Sequence, residues 1–185
     1  MKKLILSIAM LGILVPGFGQ NNSMDTLTRK ERKELRKQQS IENKKVLEKS
    51  LANRTWVLEA HTVSDRYGNT VQTSPSTNFI LVDGEQAVIQ LAFPHFIGYN
   101  GLGGITFDDQ LGNYQIKPGK KENSGINLSM DVHGVNIGNA SVMLSTSADG
   151  NARATVSGPW GWRITYSGNL VPLEESSIFT GRSRF

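Results

Sequence analysis

The sequence predicts an all-β fold, a small antiparallel β-barrel or sandwich preceded by one charged α-helix. Apolar and polar side chains alternate with a period of two from Trp56 to Leu170, which is typical of strands with one buried and one solvated face. Turn-forming pairs such as Asp83-Gly84 and Asp149-Gly150 interrupt the alternation at short intervals. Before it lies a long stretch of helix-forming residues that contains neither Gly nor Pro.

Residues 1–19 are typical of a secretory signal peptide. Two lysines provide the positive start, and the apolar run Leu4–Val15 is too short to span a membrane as a helix. Gly17 and Gly19 supply the small residues of a cleavage site before Gln20. Because the chain has no Cys, it cannot be a lipoprotein anchored at an N-terminal Cys. We expect a cleaved protein without a transmembrane segment, in the periplasm or outside the cell.

Residues 20–53 are expected to form a charged helix and its linker. Thr28 and Glu31 match a capping box, in which each side chain satisfies a free backbone N–H group at the start of a helix. The few apolar side chains that share helical spacing near its end are Val46, Leu47 and Leu51. We therefore expect only the last turns to pack on the following domain, with the rest in water.

The charge of the chain changes at this boundary. Residues 25–54 carry ten basic and five acidic side chains, whereas residues 55–185 carry eight basic and eleven acidic ones. Basic and acidic residues interleave along the helix, and no aromatic residue lies among them. This pattern favours a solvated helix over a surface for nucleic acid or an anionic membrane, and export also argues against a nucleic-acid partner.

Residues 54–185 are expected to form the β domain. The predicted strands are Trp56–His61, Asn78–Val82, Gln86–Phe93, Gly104–Asp108, Asn113–Lys117, Ile126–His133, Ala140–Ser147, Asn151–Ser157 and Trp162–Leu170. Since short turns connect them and no helix intervenes, they predict a meander that closes into a barrel or folds into a sandwich. Several predicted inward residues are small, namely Ala60, Ala92, Ala152, Ala154 and Gly168. They fit either a filled, tapering barrel or space for an apolar ligand.

Three segments resemble a known family: Asn78–Phe93, Gly98–Thr106 and Arg163–Ser176, of which Asn-Gly-Leu-Gly-Gly at 100–104 is the most specific part. The family is a set of exported proteins, mainly from gut Gram-negative bacteria, that carry a domain of unknown function. Its members have a signal peptide and a charged N-terminal helix. The resemblance implies a lipocalin-like β-barrel over essentially the whole mature chain, and it implies no activity and no catalytic residues.

The sequence offers little catalytic chemistry. The absence of Cys excludes disulfides, thiolate metal sites and thiol catalysis. Asp108 and Asp109 are consecutive in a strand and point to opposite faces, so they cannot act as a pair. The cluster of glycines at 98–104 lacks the spacing and the following helix of a phosphate-binding loop. We therefore predict no enzyme and no cofactor.

A metal site would need side chains from separate strands to converge. Glu59 and His61 share one strand face, as do Asp131 and His133, and together they would offer nitrogen and oxygen ligands. Both pairs lie on the predicted solvated face, where such neighbours are common. We therefore predict no metal site.

The best candidate site is the long connection after Gln86–Phe93, which places apolar and aromatic side chains in a loop. Its candidate ligand-binding residues are Phe93, His95, Phe96, Ile97, Tyr99 and Asn100. Such a loop either closes the end of a barrel or lines a binding site. Two hypotheses follow: a module that binds a small apolar ligand, lipid or peptide at the barrel mouth, and an envelope interaction protein with a filled barrel. A hydrolase is a third, weaker alternative.

Overall fold

A computed structural model describes residues 28–92, 102–119, 124–134 and 138–180. These ranges form one α-helix, α1 (Arg29–Asn53), two short 3-10 helices (Pro159–Gly161 and Leu173–Glu175) and nine strands. The strands are β1 (Thr55–Ser64), β2 (Thr70–Gln72), β3 (Phe79–Asp83), β4 (Gln86–Ala92), β5 (Gly104–Pro118), β6 (Ile126–Gly134), β7 (Gly138–Thr146), β8 (Asn151–Ser157) and β9 (Arg163–Pro172). The predicted all-β fold with one charged N-terminal helix is confirmed.

The sheet closes on itself as an antiparallel barrel. From β3 to β9 each strand pairs with the next in chain order, and β1 pairs with both β3 and β9. The short β2 extends the β3 side of β1, where Val63 pairs with Val71. Eight strands thus form the closed barrel, a number that leaves an interior about wide enough for side chains to fill.

Two departures from regular strands shape the barrel. The sequence predicted two strands within 104–117, but the structure has a single β5 with a bulge after Gly112, where Asn113 has φ of +44°. The bulge brings both Leu111 and Tyr114 to the core. On β9, Gly168 faces a bulge of β1, and a Cβ atom there would lie 1.9 Å from the carbonyl oxygen of Glu59. Only glycine permits this approach.

Helix α1 closes one end of the barrel, which we call the helix end. The predicted capping box is present, since the Thr28 hydroxyl accepts a hydrogen bond from the Glu31 backbone N–H and the Glu31 carboxylate accepts one from that of Thr28. Leu47 and Leu51 are buried in the barrel core, as predicted. Val46, predicted to pack with them, is instead nearly half exposed.

The alternation predicted for the core strands is confirmed. Ile126, Leu128 and Met130 are all buried in the main cluster. Val57, however, alternates with Trp56 and Leu58, which predicts it on the solvated face, and it is fully buried. It belongs to a second apolar cluster that does not share the main core.

The second cluster lies beneath residues 173–180, which we call the C-terminal segment. Its buried members are Val57, Phe79 and Val88, on β1, β3 and β4. Leu173 and Ile178 of the C-terminal segment pack against them. These three strands are therefore apolar on both faces, and part of the outer wall of the barrel is a second, smaller core.

Candidate functional site

The interior of the barrel is filled by its own side chains. Trp56 is fully buried, and Met130 and Tyr166 are 2% and 1% exposed. A cavity large enough for a ligand would expose the side chains that line it, and these large residues expose almost none of their surface. The small inward residues were compatible with a filled barrel or with space for an apolar ligand. Where Trp56, Met130 and Tyr166 lie, the barrel is filled.

A chain of hydrogen bonds holds the helix end shut. The indole N–H of Trp56 donates to the hydroxyl oxygen of Tyr114 at 2.9 Å, and that hydroxyl donates to the Leu51 carbonyl oxygen at 2.7 Å. Burial raises the pKa of Tyr114 to about 12, against the smaller opposing effects of the Trp56 hydrogen bond and the Arg54 charge. Tyr114 thus stays neutral and fixes the last turn of α1 to the barrel wall.

We call the opposite end of the barrel the distal end. Here β4 leads to β5, β6 to β7 and β8 to β9. The rings of Phe107 and Trp162 stack with centroids 6.2 Å apart and an angle of 22° between their planes. Both rings are partly buried and pack on the core. Leu91 and Ile164 are also partly buried and pack on the core. These four residues form what we call the distal apolar cluster.

A groove of about 300 Å³ lies on the rim beside β2, β3 and β4. Its lining consists of Gln72, Thr73, Ser74, Thr77, Asn78, Ala92 and Leu102. Asn78 fixes its shape, because its side-chain N–H donates to the Ser74 carbonyl oxygen and its side-chain oxygen accepts from the Ala92 backbone N–H. Ala92, predicted to point into the barrel, lines this groove and lies outside the main core cluster.

The candidate ligand-binding residues predicted from the sequence lie outside the described residues. They are Phe93, His95, Phe96, Ile97, Tyr99 and Asn100. The chain positions on either side, Ala92 and Leu102, both line the rim groove. Both of these flanking residues therefore lie at the end of the barrel that carries the distal apolar cluster.

Comparison with known proteins assigns the chain to a family. A model described as "Domain of unknown function (DUF4251)" matches residues 38–170. The chain belongs to the DUF4251 family. The chain is also similar to a crystal structure of a DUF4251 family protein from Bacteroides eggerthii DSM 20697, with 33% identity and a TM-score of 0.61. The match covers 74% of this chain and 92% of that one. No curated protein matches the chain.

The resemblance inferred from the sequence is thereby confirmed at the level of a family of unknown function and its barrel fold. The DUF4251 match includes all four members of the distal apolar cluster, from Leu91 to Ile164. It leaves out the first turns of α1 and the C-terminal segment. The cluster is thus part of the family domain, whereas those two elements lie outside it.

The paired carboxylates and histidines of this DUF4251 chain do not converge. Glu59 and His61 lie on β1 and Asp131 and His133 on β6, which are not neighbouring strands. The Glu59 carboxylate accepts a hydrogen bond from the Ser176 hydroxyl at 2.6 Å. In the described part of the chain, no three His, Asp or Glu side chains are grouped to hold a metal ion.

The helix α1 lacks the length of apolar sequence that a membrane-crossing helix needs, and so does every other helix in the described ranges.

The sequence prediction did not identify Phe107 and Trp162 as a site, although it placed both in strands. Phe107 lies on β5 and Trp162 directly precedes β9, and because these two strands are not adjacent in the sheet, only barrel closure brings the two rings together.

Proposed function

We propose that this chain is an exported, non-catalytic binding protein whose distal end captures an apolar group of a ligand or partner. The observation that supports the proposal is the stacked pair Phe107–Trp162, which is partly exposed although it packs on the core. Aromatic rings offer large apolar area and have few rotatable bonds, so they lose little entropy on binding. An acyl chain or an apolar peptide side chain would complete their burial.

The filled interior limits how such a ligand is held. Because Met130 and Tyr166 are buried in the main core of the barrel, the ligand rests on the distal apolar cluster and does not enter the barrel. Each Å² of apolar surface removed from water contributes roughly 25 cal/mol. The rim groove lies at the same end of the barrel, and its exposed polar residues Gln72 and Ser74 suit the polar end of an amphipathic ligand.

A second candidate function is an envelope protein–protein interaction, and the filled interior favours it. A barrel without internal space acts through its surface, as an interaction module does. Deleting the helix is a poor test, since Leu47 and Leu51 belong to the core and their loss would destabilise the fold. Point changes on the surface are needed.

The distal proposal predicts that Trp162→Ala weakens binding of an apolar probe. With dodecanoate, we expect a dissociation constant about tenfold higher, since losing about 60 Å² of ring contact costs roughly 1.5 kcal/mol. Isothermal titration calorimetry measures the constant. Met143→Ala is the matched control, because Met143 is a large apolar side chain, 69% exposed, on the outer wall of β7.

Circular dichroism and thermal unfolding must show that the Trp162→Ala protein retains its fold. Equal dodecanoate affinity in the wild-type and Trp162→Ala proteins would overturn capture at the distal end. Equal weakening by Met143→Ala would show that the probe coats apolar surface without a defined site. Absence of dodecanoate binding by the wild-type protein would favour the interaction module.

A further inference from the structure

Helix α1 carries a row of cations on one face of its first turns, which we call the basic stripe: Arg29, Lys33 and Arg36. We propose that the basic stripe binds an acidic segment of a partner polypeptide. This surface is separate from the distal end and does not depend on the function proposed above. The stripe lies outside the residues matched by the family model.

The positions of the stripe follow from helix geometry. Steps of four and three residues lead from Arg29 through Lys33 and Arg36 to Ser40, and similar steps lead on through Lys44 to the buried pair Leu47 and Leu51. Residues with this spacing lie on one face of a helix. One face of α1 is thus basic at its start and apolar at its end.

The acidic residues of α1 lie elsewhere on its circumference. Glu31, Glu34 and Glu42 each precede a basic residue of the row by two positions, which is about 200° around the helix. Glu31 is further occupied by the capping box with Thr28, whose hydrogen bonds hold the pKa of that carboxyl below its usual range. Charges that interleave along the sequence are therefore separated in space, which concentrates the positive field on the stripe.

The basic stripe is accessible to a partner. All residues from Arg29 to Gln39 are exposed. Burial on this face begins at Lys44, which forms an ion pair with Glu48 at 3.5 Å between Nζ and Oε1. The first three turns of the helix accordingly extend past the contact between α1 and the barrel.

The shape of this surface favours a narrow polyanion. The stripe lies on the side of the helix that carries Leu47 and Leu51, which is the side of the barrel, so a flat bilayer approaching it would meet the barrel. No apolar side chain accompanies the three cations to enter a membrane. From Arg29 to Arg36 the stripe is about 10 Å long, a length that about three residues of extended polypeptide span. Carboxylates on such a segment suit the Arg and Lys side chains.

The experiment compares two double variants that remove equal charge. Lys33→Gln with Arg36→Gln neutralises two residues of the stripe, and Lys45→Gln with Lys49→Gln neutralises two exposed lysines on the other side of α1. Gln has nearly the helix propensity of Lys and Arg, so both proteins should keep the helix. The probe is a fluorescein-labelled peptide of twelve glutamates, with affinity measured by fluorescence anisotropy.

We expect the stripe variant to bind the peptide about two- to thirtyfold more weakly, because exposed ion pairs contribute about 0.2–1 kcal/mol each. The control variant should match the wild-type protein, and wild-type affinity should fall with added salt. Equal weakening in both variants would show attraction by net charge alone and overturn the proposal. So would no peptide binding by the wild-type protein, or stripe-dependent binding to phosphatidylglycerol vesicles or a DNA oligonucleotide that exceeds binding to the peptide.

Discussion

Tyr114 shows how one side chain joins helix and barrel. Its hydroxyl accepts from Trp56 and donates to the Leu51 carbonyl oxygen, and the Arg54 guanidinium lies 5.3 Å from its ring centroid. Arg54 itself has φ of +57° and forms an ion pair with Glu85 on the β3–β4 turn. The turn from α1 into β1 is therefore fixed by polar contacts around a single phenol.

Removing the Tyr114 hydroxyl should destabilise the protein in a pH-dependent manner. At pH 8 we expect Tyr114→Phe to lower the free energy of unfolding by about 1–3 kcal/mol, because the buried Trp56 N–H loses its acceptor and the Leu51 carbonyl oxygen loses one of its donors, keeping the Arg54 backbone N–H. The folded-state pKa of Tyr114 is raised to about 12 from the ordinary 10.0. Its contribution is thus complete below pH 10 and declines as pH rises through about 12, so the gap between variant and wild type should narrow.

Urea unfolding at pH 8 and pH 11 measures this gap. Tyr67→Phe is the matched control, because Tyr67 is 74% exposed and should give no difference at either pH. Burial also raises the pKa of Tyr166 well above its usual range. Because Tyr166 is present in the wild-type protein and in both variants, it does not affect the comparison. A Tyr114→Phe gap that stays constant from pH 8 to pH 11 would contradict the assigned role.

Among the elements, the C-terminal segment depends on Gln90 of β4. This fully buried side chain donates hydrogen bonds from Nε2 to the carbonyl oxygens of Thr77 at 3.0 Å and Phe179 at 2.9 Å. Its Oε1 accepts a hydrogen bond from the Thr106 hydroxyl. The Phe179 backbone N–H in turn donates to the Ser76 carbonyl oxygen at 2.7 Å. Gln90 thus couples the segment to the rim of the barrel.

Gln90→Leu should loosen the C-terminal segment. The variant leaves two carbonyl groups without their donor, and we expect a loss of about 2–3 kcal/mol in the free energy of unfolding. Gln86→Leu on the same strand is the control, since Gln86 is exposed and makes no comparable contact with the segment. Urea unfolding measures stability, and limited proteolysis should cut within residues 173–180 faster only in the Gln90→Leu protein. Equal proteolysis of both variants would argue against the coupling.

The same elements show what the sequence could and could not predict. Alternation identified Ile126, Leu128 and Met130 as core because one face of β6 is apolar and the other polar. On β3, apolar residues occupy both faces, and alternation does not reveal what covers the second one. The cover comes from Ile178, about a hundred residues away in the chain, and its segment forms no strand that periodicity could detect.

The candidate site, too, could be predicted only in part from the sequence. The sequence placed Phe107 and Trp162 in strands but could not bring them together, because that needs the barrel to close. It also treated the charges of α1 as mixed, since Glu34 and Arg36 are near neighbours in sequence. Their angular separation on the helix became meaningful only once Leu47 and Leu51 defined the barrel side.

At the scale of the whole molecule, the described residues place different side chains at the two ends of the barrel. Leu47 and Leu51 close the helix end, with the Tyr114 hydrogen bonds beside them. The distal end leaves Phe107 and Trp162 partly exposed. The basic turns of α1 extend from the closed end. The molecule therefore offers an apolar surface at one end and a cationic one beside the other, which allows two partners to bind at once.

The last prediction concerns the N-terminus, because both proposals apply to the chain without the signal peptide that the sequence predicts. Cleavage after Gly19 would leave Gln20 first, eight residues before Thr28 caps α1, and neither the helix nor its basic stripe would be lost. Expressed in a Gram-negative bacterium, the protein should be recovered from the periplasm or the medium with the mass of residues 20–185. Gly17→Lys with Gly19→Lys should block cleavage, because signal peptidase needs small residues at these positions. Intact-mass spectrometry of cell fractions checks both results, and a cytoplasmic chain that retains residues 1–19 would contradict export.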